Sequence, residues 1–161
     1  MYFKKSTYII LLAVFSMNAR AEEILTVSHP AIPAPTYIDQ GEPGESVGDV
    51  RIWQFSAQSD KGDVLMTDWI MTTTGIVESE KMQYRMTSAT FAFGEGTKDQ
   101  IVIQGIAVYA SSRAALQNSV STPRAIIGGT GRFANAKGWM ETKHLSDDTW
   151  RHVLHLKQGR R

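Results

Sequence analysis

Along residues 47–158, β-branched and aromatic side chains gather in short runs, and Gly, Asp, Ser and Lys interrupt them. Within several runs apolar and polar positions alternate, the period of strands whose successive side chains leave opposite faces. This texture predicts strands over 49–57, 63–75, 81–93, 100–110, 124–128, 137–144 and 149–156, with a leading strand over 24–29. Turn-forming clusters separate them: Ser59-Asp60-Lys61-Gly62, Gly94-Glu95-Gly96-Thr97-Lys98-Asp99 and Ser146-Asp147-Asp148. Most connections are of hairpin length. The exception is 111–122, where Ala114, Ala115 and Leu116 predict one helical turn or a flap near an opening. Between 28 and 46 the chain carries Pro30, Pro33, Pro35 and Pro43 with Gly41 and Gly44, so neither helix nor central strand continues through it.

Seven or eight mostly antiparallel strands in a chain of this size close economically as a sandwich or a barrel. Ile101-Val102-Ile103 and the segment 66–71 are apolar on both alternating faces, whereas a strand wet on one side alternates more cleanly. We therefore expect an all-β, antiparallel β-barrel whose outer face is itself covered, as by other subunits. The alternative is a filled core without a cavity.

Composition narrows the setting. Lys4 and Lys5 precede an apolar run over 8–15, and Ala19-Arg20-Ala21 follows, which reads as a signal peptide cut before Glu22. The apolar run is about half the ~20 residues that span a bilayer. The expectation is a secreted or periplasmic protein that leaves the membrane once the signal is cleaved. Cleavage would remove Lys4, Lys5 and Arg20 from 17 basic side chains and none of the 16 acids, taking the formal charge from +1 to −2. A near-neutral domain whose only basic cluster is the tail with Lys157, Arg160 and Arg161 lacks the footprint of a nucleic-acid binder. With no Cys, disulfides and thiolate metal sites are excluded and stability must come from a core. The predicted organisation is a signal peptide over 1–21, a strand and Pro/Gly-rich arm over 22–46, a barrel domain over 47–158 and a basic tail over 159–161.

Gly129-x-Gly131-x-x-Ala134 matches the dinucleotide fingerprint, with Asp147 and Asp148 at roughly the spacing of its acidic residue. That reading needs a helix opening at the glycines to hold a pyrophosphate. Here Gly138 and the strand-like Trp139-Met140-Glu141-Thr142 follow too soon, so the segment predicts a strand–turn–strand corner and no nucleotide cofactor. His152 and His155, three apart on a strand, leave opposite faces, and His29 and His144 add no ligand spacing, so no metal site is expected. No nucleophile elbow is present. Ionisable residues inside strands carry more interest: Arg51, Asp68, Arg85 and Glu141, with Tyr84 and Tyr109. Facing an apolar lumen such groups would be costly unless paired, and so would be functional; facing out they are ordinary.

Thr90-Phe91-Ala92-Phe93-Gly94, Ile101-Val102-Ile103-Gln104-Gly105, and Ile127-Gly128-Gly129-Thr130-Gly131-Arg132-Phe133 with Ala136-Lys137-Gly138 together resemble the allene oxide cyclase and dirigent-protein superfamily. The likeness runs over roughly 50–158, and its most specific part is the Gly-Gly-Thr-Gly-x-Phe segment, with Gly128, Gly129, Gly131, Phe133 and Gly138 as its structural residues. The resemblance implies an eight-stranded antiparallel barrel, a homotrimer or homodimer, with a mostly apolar lumen and no cofactor. In that superfamily cyclases close a fatty-acid epoxide, and dirigent proteins guide phenoxy-radical coupling or ring closure of a quinone methide.

Phe55 and Ala57 stand where the cyclases carry a lumen Glu and Asn, Ala107 stands at their tyrosine, and Lys137 replaces the usual dirigent Arg. The expected ligand is therefore a small hydrophobic or phenolic molecule, lined by Trp53, Phe55, Ala57, Tyr84, Ile103, Ala107 and Tyr109. Asp68, Arg85 and Glu141 are the catalytic candidates, and the expected function is steering of cyclisation or coupling. The alternative is a non-catalytic carrier or secreted interaction module on the same barrel.

Overall fold

The computed structural model describes residues 22–110 and 120–157. The segment read as a signal peptide, most of the 111–122 connection and the basic tail lie outside the described residues. Nine strands form one antiparallel sheet: β1 (Glu23–His29), β2 (Thr36–Ile38), β3 (Val50–Ser59), β4 (Val64–Val77), β5 (Met82–Phe93), β6 (Asp99–Tyr109), β7 (Thr122–Gly129), β8 (Lys137–His144) and β9 (Trp150–Lys157). Their order is β1-β9-β8-β7-β6-β5-β4-β3-β2, and β1 also pairs with β3 through Val27↔Ser59 and Ser28↔Gln58. That last pairing closes eight strands into a barrel and removes the exposed sheet edges an open form would present. β1, grouped with the arm by its sequence, is thus a barrel strand. β2, a short strand inside the Pro-rich segment, had no sequence signal and adds to the outer end of β3 through Thr36↔Ile52 to Ile38↔Val50.

Alternation decides what enters the barrel. On β3 the odd-numbered residues from Arg51 to Ser59 face in, and the same holds for Leu65 to Thr73 on β4 and Gln83 to Phe93 on β5. One end of the interior is packed solid by Leu25, Leu65, Phe91, Phe93, Ile101, Ile103, Met140, Leu154 and Leu156, all nearly without solvent access. Each fully buried side chain of this size contributes roughly 1.5–3 kcal/mol through removal of apolar surface from water.

The glycine corner closes this packed end. A single turn of 3₁₀ helix (Gly131–Phe133) joins β7 to β8, and Phe133 lies 4.7 Å from Phe93, ring centre to ring centre. Gly131 has φ +55, where a Cβ is strained, and its Cβ would also overlap the Asp99 carboxylate that accepts the Arg132 N–H at 2.9 Å. Gly129 is required for a different reason: its φ is ordinary, but a Cβ would meet the carbonyl oxygens of Phe133 and Gln100 at 2.5 and 2.6 Å. A Cβ at Gly138 would overlap the His155 carbonyl, whereas at Gly128 it would meet nothing.

The arm is tied down at the opposite end. Asp49, fully buried, accepts hydrogen bonds from Tyr37 Oη (2.6 Å), the Ser46 N–H (3.0 Å) and the Gln40 N–H (3.1 Å). Burial works to raise its pKa, and these donors together outweigh that and hold it at about 2. Trp53 Nε1 donates to the Pro33 carbonyl at 3.1 Å, which holds the proline run across the barrel mouth.

Candidate functional site

Opposite the glycine corner the interior opens into a cavity of about 800 Å³. Its apolar wall is Trp53, Phe55, Trp69, Met71 and Trp150, and Ala31, Ile32, Pro33 and Pro35 of the arm lie over it. Its polar wall is unusual for a barrel core: Arg51, Arg85, Arg124, His29, His152, Tyr37, Tyr109 and Thr142. The three arginines are each 2% exposed. They enter because each occupies an inward position of its strand, β3, β5 and β7, at the end where those strands meet the mouth.

The polar groups form a connected chain. His29 Nδ1 lies 2.8 Å from the Pro30 carbonyl, so this nitrogen carries the hydrogen and donates. In the neutral ring Nε2 is then an acceptor, and it takes the His152 Nε2–H at 3.0 Å. His152 Nδ1 in turn accepts the Thr142 hydroxyl at 3.0 Å, and the same oxygen accepts from Arg124 Nη1 at 3.2 Å. Arg124 Nη2 donates to Tyr109 Oη at 3.4 Å, and the Arg85 guanidinium stacks 4.1 Å from the centre of the Tyr109 ring. Burial pushes His29 down, against the raising effect of its Pro30 bond. His152 is pushed well down by complete burial, with His29 and Arg124 adding to it. Both imidazoles are therefore neutral near pH 7. Burial also lowers Arg124, and lowers Arg85 to about 10 with help from the like charge of Arg51.

Aromatic rings build the floor. Trp69 meets Phe91 edge-on at 5.7 Å, His152 meets Phe91 edge-on at 5.6 Å, and His29 lies 4.4 Å from Phe55. This layer separates the packed end from the open one. It offers flat faces to a ring, and the wall above it offers positive charge to any oxygen that carries negative charge.

Of the residues singled out in the sequence, Arg51, Trp53, Phe55, Arg85 and Tyr109 line the cavity. Ala57 and Ile103 belong to the packed end, and Ala107 is buried beside Tyr109 and Trp150. Asp68 and Tyr84 occupy outward positions: Asp68 is exposed and accepts from Gln54 Nε2 at 2.7 Å, and Tyr84 is 41% exposed. Glu141 also alternates outward, between inward Met140 and Thr142, and pairs with Lys143 at 3.8 Å. The expectation of a lumen carboxylate from Asp68 or Glu141 is corrected accordingly, because strand parity places both on the other face. Arg124, His29 and His152 were not among the candidates. Arg124 stands next to Pro123 at the start of a strand, and the two histidines come together only through the β1–β9 register, Val27↔His152.

Neither a family model nor a curated protein sequence matches the chain. Solved structures do. A pyocyanin demethylase superposes with a TM-score of 0.60 at 20% identity, covering 85% of this chain and all of that one. The pterocarpan synthase dirigent protein GePTS1 gives a TM-score of 0.61 at 17% identity, over 99% of each chain. The related PsPTS1 gives 0.60 at 16%, over 88% of this chain and 97% of its own. The fold is thus the allene oxide cyclase/dirigent-like barrel, as the glycine segment led us to expect.

Proposed function

We propose that the barrel takes a small conjugated or phenolic molecule into its open end and steers its cyclisation or coupling. The observation that carries this reading is the cavity of about 800 Å³, lined both by aromatic faces and by buried cationic groups. Trp53, Phe55 and Trp69 would hold a ring flat and restrict it to a few reactive conformers. The guanidinium groups would favour an oxygen that gains negative charge. The arm over the mouth would limit water. The dirigent likeness supports the steering role through fold alone.

A test is to generate phenoxy radicals from a propenyl phenol with a one-electron oxidant, with and without the protein, and to resolve the dimers by chiral chromatography. Enantiomeric excess only when protein is present is the expected result. A racemate in both cases, with the phenol still bound saturably, would favour a carrier. One observation supports that second reading: among the described residues, the only carboxylates lining the cavity, Glu45 and Asp148, are exposed at its rim.

Two features of its setting belong to the same proposal. Ile52 faces Ile70, Met86 faces Ile106, and Tyr84 faces Val108 across neighbouring outer strands, all solvent-exposed. An apolar face of this kind supports a homotrimer or homodimer, which light scattering after gel filtration would measure. Export would give a mature chain beginning at Glu22, which N-terminal sequencing of the protein from a secreting host would read.

A further inference from the structure

Burying three arginines in the lumen is expensive, although Arg85 donates to Gln83 Oε1 at 3.2 and 3.3 Å and Arg51 stacks 4.9 Å from the Tyr37 ring. Each cation taken from water into a protein interior costs several kcal/mol unless a counter-charge and full hydrogen bonding compensate it. Arg51 Nη1 donates to Thr73 Oγ1 at 3.0 Å, and Arg124 spends both Nη atoms on Thr142 and Tyr109. Arg51 Nη2 and Arg124 Nε, both buried, find no acceptor among the described residues, and neither does the buried indole N–H of Trp69. All three residues line the cavity. Arg85 lies close enough to Arg51 for the like charge to depress it. Among the described residues the carboxylates that line the cavity are Glu45, which accepts from Gln83 Nε2 at 2.6 Å and whose charge acts on Arg85, and Asp148, which accepts from His144 at 2.6 Å.

A wall that holds three guanidinium groups and orphaned N–H donors, beside flat aromatic faces, is complementary to one kind of small molecule. We infer that the ligand is an aromatic or conjugated carboxylate, its ring against Trp53, Phe55 and Trp69 and its carboxylate taken by the Arg51, Arg85 and Arg124 group. The inference rests on the lumen being a binding site, and it adds the charge of the molecule bound there. Tyr109 joins the group together, since Arg85 stacks on its ring and Arg124 bonds its hydroxyl. A ligand anion would supply the acceptors that the protein does not.

The test compares two probes of one shape, 2-naphthoate and the uncharged 2-naphthamide, by calorimetry at pH 7 on the full mature chain. Naphthoate should bind at least about tenfold tighter, and its affinity alone should weaken as salt is raised. Arg51→Met should weaken naphthoate several-fold more than naphthamide and so narrow the gap between the two probes, and Arg51→Lys should keep more of the preference. Because a buried, incompletely paired cation is removed, Arg51→Met should melt no lower than the parent. If both probes bind the parent equally, the anion inference is overturned and the lumen site stands. If neither binds, both fail. A preference that survives undiminished in each of Arg51→Met, Arg85→Met and Arg124→Met would overturn the assignment to these arginines.

Discussion

His29 and His152 meet Nε2 to Nε2 at 3.0 Å, although 123 residues separate them. The contact joins the last residue of β1 to an inward position of β9, and it depends on the pairing of those two strands from opposite ends of the chain. Two neutral rings can share that hydrogen; two protonated rings cannot, since both nitrogens would then donate.

Stability should consequently fall as the medium is acidified. Both histidines have folded-state pKa values below the ordinary 6.5, so below about that pH the unfolded chain binds more protons than the folded one. The contribution is fully present above pH 6.5 and is lost progressively on lowering the pH through and below it. Thermal melts between pH 7.5 and about 5 should show Tm decreasing, and His152→Gln should flatten that slope. An unchanged slope in the folded variant would mean the pair is not the titrating element.

The glycine corner makes separable predictions for two neighbouring residues. Gly131→Val meets both a left-handed backbone and the Asp99 carboxylate, so a loss of roughly 2–3 kcal/mol, on the order of 10 °C in Tm, is expected. Gly128→Ala, with nothing nearby to meet, should leave Tm within about 1–2 °C. Equal effects at the two positions would contradict the corner geometry.

Phe55 contributes a flat, half-buried face to the cavity, stacked 6.5 Å from Trp69. Phe55→Ala should weaken binding of a neutral conjugated probe such as 2-naphthol by about tenfold, corresponding to ~1.4 kcal/mol. Ala57→Gly lies in the packed end and should leave the affinity unchanged. Calorimetric titration of both variants, with circular dichroism to check folding, decides between a site at the open end and one elsewhere.

Much of the fold was legible because strand texture and glycine placement are local properties. The strand predicted over 137–144 coincides with β8, and the other predicted barrel strands differ from the observed ones by a few residues at their ends. β2 was hidden because three residues between prolines carry no alternation of their own and pair only through the edge of β3. The site was less legible, since a residue's place on an inward or outward face is a matter of parity fixed by barrel register. Asp68 and Arg85 look alike in sequence, as single charges inside apolar runs, yet one is exposed outside and the other buried within. The clue available was position near a strand end: Arg51 and Arg124 each stand second or third in their strand, where a long side chain reaches the mouth.

The most direct test of the central claim uses the chain's own tryptophans. Trp53, Trp69 and Trp150 line the cavity, and Trp139 stands on the outer face stacked 3.9 Å from His155. In a Trp139→Phe variant every remaining tryptophan therefore reports on the lumen. Titration with 2-naphthol should quench that emission saturably at one molecule per barrel. Emission that stays unchanged, or falls linearly without saturation, would contradict a binding site in the lumen.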